Sequence, residues 1–341
     1  MTRPANRPVR VGIVGAGMIG QDHARRLCTM LAGAQVTAVA DADLGRAQQV
    51  AGSLPDARAL PTGHDVVASA AVDAVLVTSS GPTHEEFVLA AIGAAKPVFC
   101  EKPLAPTPEA CLRIVEAEMA GGRRLVQVGF MRRYDDGYRA MKQAVDDGLI
   151  GAPLLAHCVH RNATSPPTFT SDMPLTDSAV HEMDVVRWLL ADEVTALSVL
   201  AGRRSGYAPA QLRDPQLLLM ETTSGVHVDV EVFVNCQYGY DVRCELVGET
   251  GTVSLPGPAA PVLRSGGAVS APVAADWRQR FARAYDAELQ DWVNSVRDGQ
   301  GTGPSSWDGY AAAAVAQAAL TALDSGQRTP VVMKGRPGFY G

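Results

Sequence analysis

The sequence predicts an α/β protein: a doubly wound parallel sheet first, then an α+β part whose open sheet is largely antiparallel. Three observations predict it. Before residue 130, short continuous apolar runs alternate with helical stretches, which is how a parallel sheet covered on both faces reads. Beyond it, apolar residues recur at every second position, as in half-buried antiparallel strands. The first apolar run also ends in a glycine-rich turn, Gly15-Ala16-Gly17-Met18-Ile19-Gly20. The expected domains are 1–129 and 130–341.

Val9 to Val14 is the first buried strand. Its turn fits G-x-G-x-x-G: Gly15 permits the tight bend, Gly17 lets backbone approach a pyrophosphate, and Gly20 lets the next helix sit close. That helix opens at Met18 and Ile19, whose free N–H groups and positive dipole end face the phosphates. Six such residues alone could be a chance glycine turn, so their context decides. Gln21 to Leu31 is helical, with His23 read as a partly buried helix residue. Gln35 to Ala40 is a second strand, ending at Asp41 about 20 residues beyond the turn. A carboxylate there accepts hydrogen bonds from an adenosine ribose and repels a 2′-phosphate, favouring NAD over NADP. The other reading of Asp41 is a solvated turn acid, with Arg46 nearby.

The alternation continues. Asp43 to Leu54 is helical, Asp73 to Thr78 a strand, Ser79 to His84 a turn and Glu85 to Ala95 a helix. Lys96 to Cys100 is a strand running into Glu101-Lys102-Pro103. Pro106 to Ala120 is a helix and Arg124 to Gly129 a strand. Asp41, Ser79 to His84 and Glu101-Lys102 all fall at carboxyl ends of strands, where such sheets bind ligands. Lys102 is either a surface charge or an ammonium beside a nicotinamide, stabilising a developing alkoxide. Position alone leaves both open.

In the second part, Asp135 to Gly148 is helical. Leu154 to Asn162, Leu217 to Thr222, Val228 to Val234 and Val242 to Leu246 are strands of one sheet. Its polar face is either a subunit contact or solvated. Pro256 to Pro272 reads as a loop, Asp276 to Arg297 and Trp307 to Leu323 as helices, and Thr329 to Met333 as a last strand. The informative helix is Ser178 to Leu190. Val180, Met183, Val186 and Leu190 form its apolar stripe, while Asp177, His181, Asp184 and Trp188 form a second. Asp177 and His181 then project from adjacent turns on one side. A histidine beside a carboxylate fits a proton acceptor near neutral pH. Alternatively, Asp177 is an N-cap and His181 a core-edge residue. The polar loop Arg161 to Thr176 lets this helix start abut a cleft.

Composition bounds the function classes. The 341 residues carry a net charge of -6 with no Lys/Arg-rich block, so no nucleic-acid partner is expected. The start, MTRPANRPVR, lacks an apolar h-region, and no span is expected, which places the chain in the cytoplasm without a membrane partner. Six scattered cysteines without a C-x-x-C pair read as thiols in a reducing compartment, neither disulfides nor a zinc site.

Glu101-Lys102-Pro103 and Asp177-x-x-x-His181 resemble the motifs of the Gfo/Idh/MocA oxidoreductase family. Gly129-Phe130-Met131-Arg132-Arg133-Tyr134-Asp135, the run His181 to Leu190, Tyr238-Gly239-Tyr240-Asp241 and Asp276 to Phe281 look like its inositol-oxidising bacterial members. The resemblance implies a Rossmann domain that uses NAD and a catalytic set of Lys102, Asp177 and His181. His181 is then the general base, Lys102 holds the reacting oxygen as hydride leaves for nicotinamide C4, and Asp177 fixes and tunes both. The peptide before Pro103 is cis by the same analogy. Gly15, Gly17, Met18, Ile19, Gly20, Asp41, Ser79, His84, Glu101 and Lys102 are implied to hold the cofactor. Met131, Arg132, His160, Asn162, Asp184 and Tyr240, with Asp177 and His181, are implied to hold the substrate. The implied reaction is oxidation of the 2-hydroxyl of myo-inositol to the 2-keto product, without a metal, in a homotetramer joined through the second sheet. Alternatives are a scyllo-inositol or sugar dehydrogenase of the family, or a non-catalytic nucleotide sensor, which is expected to lack Lys102 or His181.

Overall fold

The computed structural model describes residues 7–257 and 261–341. Most of the start of the chain, MTRPAN, and residues 258–260 of the expected loop lie outside the described residues. In chain order the elements are β1 (Val9–Val14), α1 (Met18–Thr29), β2 (Ala34–Ala40), α2 (Leu44–Gly52), β3 (Arg58–Ala59), α3 (Gly63–Ala68), β4 (Ala74–Val77), α4 (His84–Gly93), β5 (Val98–Glu101), α5 (Pro108–Ala120) and β6 (Val126–Gly129). Then come α6 (Asp136–Asp146), β7 (Pro153–Arg161), α7 (Val180–Leu190), β8 (Val194–Ala201), β9 (Gln216–Thr222), β10 (His227–Phe233), β11 (Asp241–Gly248) and β12 (Thr252–Ser254). The last are β13 (Leu263–Ser265), β14 (Ala268–Ser270), α8 (Trp277–Arg280), α9 (Ala282–Asp298), α10 (Ser306–Ser325) and β15 (Thr329–Pro330). One compact unit comprises Met1–Phe130, Tyr285–Ala313 and Lys334–Gly341; the other comprises Met131–Ala284 and Ala314–Met333.

In the first unit six parallel strands stand in the order β3-β2-β1-β4-β5-β6. The strand order reverses between β1 and β4, so the turns after those two strands flank the crevice where such sheets take ligands. β4, β5 and β6 are buried along their whole length, which is why they read as continuous apolar runs. Asp43 caps α2, and Thr107 caps α5 with Pro108 at its first position. Leu289, Trp292 and Val293 of α9 pack into the same core as Val11, Ile13, Leu27 and Val36. β3 and α3 escape the sequence pattern. They are two and six residues long, and α3 is held by a capping box between Thr62 and Asp65 rather than by an apolar stripe.

In the second unit seven strands stand in the order β12-β11-β7-β10-β9-β8-β15. Val228, Val230 and Val232 of β10 are buried and alternate with more exposed neighbours, as a half-covered sheet requires. The sheet is mixed: β7 and β10 run parallel at its centre, and the other pairs are antiparallel. Period two places residues on faces but says nothing about strand direction. β8 lies in the sheet although the sequence did not mark it. The expected loop 256–272 contains the hairpin β13–β14. The expected helix 276–297 is two helices, broken at the fully buried Phe281. All six cysteines are free thiols.

Candidate active site

In the first unit the glycine turn divides by what a side chain would meet. Gly15 has φ +103°, and a Cβ there would stand 2.3 Å from the Ser79 nitrogen. A Cβ on Gly20 would stand 2.1 Å from the Gly15 oxygen. Both are glycines for reasons internal to the chain. A Cβ on Gly17 meets nothing within 4 Å, so that face of the backbone is left open. Gly17 is also the N-cap of α1 and offers no side-chain acceptor to the first N–H groups of the helix. The exposed Met18 follows it. A turn open on this side, above uncapped N–H groups, fits a phosphate-bearing ligand.

Asp41 lies just beyond β2 with its carboxylate drawn to the turn. Its Oδ2 accepts the Ala16 N–H at 2.7 Å and its Oδ1 the Asp43 N–H at 2.8 Å, with Arg46 Nη1 at 3.4 Å. Beyond β4, the Thr78 hydroxyl donates to the Gly15 oxygen at 2.6 Å and the Ser79 and Thr83 hydroxyls are 2.7 Å apart. His84 is buried between two backbone oxygens, with Nδ1 2.7 Å from Pro103 and Nε2 3.0 Å from Ser79. Burial pushes its pKa down, so the neutral ring donates to one of these oxygens. Its side chain therefore supports the Lys102-Pro103 turn from below. That peptide is cis. Lys102 itself is half-buried, and its backbone N–H donates to Glu101 Oε2 at 3.1 Å.

In the second unit Asp177 lies in a π turn, Pro174–Ser178, that precedes α7. The Ala179 N–H reaches back to the Pro174 oxygen at 2.8 Å, and the helix N-cap is Ala179. Asp177 is therefore not the N-cap, and the four-residue spacing to His181 crosses a change of helix type. Asp177 is exposed and His181, in the first turn of α7, is buried. π turns recur at functional positions because they re-aim a side chain relative to the following helix.

Behind His181 sits a buried polar cluster. Arg132 donates through Nη1 to Glu182 Oε1, and its Nη2 is 3.0 Å from His160 Nδ1. His160 Nδ1 is also 3.0 Å from Glu182 Oε2. The His160 ring centroid is 5.8 Å from that of Tyr240 and 6.4 Å from that of His181. Burial works to raise the Glu182 pKa, but Arg132 and His160 more than offset it and hold the carboxyl down at about 2. Burial pushes the Tyr240 hydroxyl up to about 12. Three implied substrate residues, Arg132, His160 and Tyr240, are thus brought together around an ionised Glu182. Asp184 instead pairs with Arg133, whose Nε donates to Oδ2 at 2.9 Å. Asn162, beyond β7, uses its backbone on Phe233 and Cys236, and its Oδ1 has no hydrogen-bond partner among the described residues. Met131 is buried in the 3-10 turn Met131–Tyr134.

Residues 9–130 match the model of an oxidoreductase family with an NAD-binding Rossmann fold, and residues 138–254 match the Gfo/Idh/MocA C-terminal domain. The chain belongs to the Gfo/Idh/MocA oxidoreductase family. Among its relatives, inositol 2-dehydrogenase 3 of Saccharopolyspora erythraea is 61% identical over 98% of each chain. An inositol 2-dehydrogenase of Burkholderia ambifaria is 54% identical over 97% of this chain and 99% of its own. The crystal structure of myo-inositol dehydrogenase from Lactobacillus casei with NAD(H) and myo-inositol matches with a TM-score of 0.96 at 39% identity, covering 98% of this chain and all of the other.

Within this family fold, sequence reasoning missed three side chains. Glu182 organises the buried cluster, yet it lies between His181 and Met183 on a helix that is buried nearly all round, so no stripe marks it. Arg133 was quoted within a motif without a role. His23, read as a helix residue, has its Nε2 2.7 Å from Glu101 Oε1 and is fully buried. No helix among the described residues is long and apolar enough to cross a membrane.

Proposed function

We propose that this family member oxidises the 2-hydroxyl of myo-inositol to the 2-keto product with NAD, in the cytoplasm. Lys102 beyond β5 and Asp177-x-x-x-His181 at the start of α7, in a chain 61% identical to an inositol 2-dehydrogenase, carry the reading. The glycine turn and Asp41 hold the dinucleotide, with Ser79, His84 and Glu101 shaping the turn that presents Lys102. NAD, when bound, supplies the hydride acceptor at nicotinamide C4. His181 takes the proton from the substrate hydroxyl. Lys102 donates to the same oxygen and offsets the charge that develops as the carbon gives up its hydride. Asp177 orients His181 and keeps it basic. A neutral polyol needs many hydrogen-bonding groups, and Arg132, His160, Asn162, Asp184 and Tyr240 supply or support them. Glu182 neutralises Arg132, so the cluster carries no net charge that selects an acidic substrate.

The same reading places four copies together through the exposed face of the second sheet. Leu155, Leu200 and Leu219 are exposed there beside His157–Asp229 and Arg161–Glu231 pairs, a mixture suited to a subunit contact.

Purified protein with NAD and a panel of myo-, scyllo- and chiro-inositol, glucose and xylose tests the substrate. NADH should form fastest with myo-inositol, and faster turnover of an aldose would remove the assignment.

A further inference from the structure

We propose that His23 is a positioning residue for Lys102, acting through the buried Glu101 carboxylate and tying the helix of the glycine turn to the lysine's turn. The proposal rests on the role given to Lys102 above. His23 stands in α1 and is fully buried. Its ring lies edge-on to Phe99 at 5.9 Å and tilted against Tyr285 at 5.6 Å. Nε2 is 2.7 Å from Glu101 Oε1, and Nδ1 has no hydrogen-bond partner among the described residues. Among the described residues, the one hydrogen bond of this buried imidazole is therefore that to Glu101. Burying an imidazole costs free energy that an apolar residue between two aromatic rings would not, unless the polar contact is used.

The other oxygen of the carboxylate shows the use. Glu101 Oε2 accepts the backbone N–H of Lys102 at 3.1 Å. Room for the carboxylate exists because residue 129 is glycine: a Cβ there would stand 3.1 Å from Glu101 Cδ. One carboxylate thus spans from α1 to the first peptide of the turn that carries Lys102. Without the His23 donor, Oε1 is a buried unpaired acceptor, the carboxylate re-orients to find a partner, and the Lys102 N–H loses its fixed acceptor. The ammonium then shifts relative to the oxygen it serves.

The test compares His23→Phe, His23→Gln and Gly129→Ala with the wild type, reading kcat with myo-inositol and the NAD dissociation constant by fluorescence. His23→Phe keeps a ring but no donor. It should lower kcat ten- to a hundredfold, roughly what a misplacement near 1 Å costs. NAD affinity should stay within about threefold, because the lost contact acts in the transition state. His23→Gln can present an N–H to the same oxygen and should recover most of kcat. Gly129→Ala crowds the carboxylate from β6 and should lower kcat in the same pattern, even if His23→Phe does not fold. A folded His23→Phe or Gly129→Ala with near-normal kcat overturns the proposal. So does a loss of kcat matched by an equal loss of NAD affinity, which is what a loosened helix gives. A wild type inactive on every polyol would instead remove the functional reading, and this inference with it.

Discussion

Gly15, Gly17 and Gly20 look alike in the motif but differ in what surrounds them. Two are crowded by the chain's own backbone, and only Gly17 is open. That difference turns a pattern of letters into a ligand-facing edge. In the proposed mechanism Lys102 and His181 carry the chemistry, so their loss should appear in turnover and not in cofactor binding. Lys102→Ala and His181→Ala are each expected to lower kcat by at least about a hundredfold, with the NAD dissociation constant little changed. Steady-state kinetics with fluorescence titration checks this, and near-normal turnover in either variant removes that residue from the mechanism. Their motifs were visible in the sequence because each is short and lies at the end of a recognisable element, while position alone left both roles open. His23 and Glu101 were also visible, but their contact joins residues 78 apart, and no local pattern encodes it.

Among the elements, α7 departs furthest from its sequence reading. The stripe Val180, Met183 and Val186 is buried as expected, yet so are His181, Glu182, Asp184 and Arg187. A helix enclosed on nearly all sides has no polar face for periodicity to find. The π turn before it is equally silent, because its extra residue per turn leaves no compositional mark. Glu182 gives this element a pH dependence. Its folded pKa of about 2 lies below the ordinary 4.5, so the ionised carboxyl stabilises the fold fully above pH 4.5. That contribution is lost as pH falls from 4.5 toward 2. Glu182→Gln leaves the buried Arg132 charge uncompensated and should cost about 3 kcal/mol at neutral pH. Denaturant unfolding at a series of pH values should show the gap between wild type and variant closing on acidification. A constant gap would contradict the assignment of an ionised, Arg132-paired Glu182.

Over the whole molecule, the parallel first sheet and the largely antiparallel second sheet followed from the change of pattern near residue 130, while the parallel pair β7 and β10 did not. Alternation reads the same for β7 and β10 whichever way they run. The N-terminal sheet was clearer because strands buried on both faces and ten-residue helices produce long signals. β3, α3 and β12 are too short to do so. The proposed assembly is a tetramer joined through the exposed leucines and ion pairs of the second sheet, and light scattering on the eluted protein measures it. A Leu219→Glu variant should dissociate it, and a monomeric wild type would contradict the assembly. In the proposed reaction, hydride leaves carbon 2 of myo-inositol for NAD. Incubation with myo-inositol deuterated at carbon 2, followed by mass analysis of the reduced cofactor, tests it most directly. NADH should be heavier by one deuterium; NADH formed without the label would contradict transfer from carbon 2.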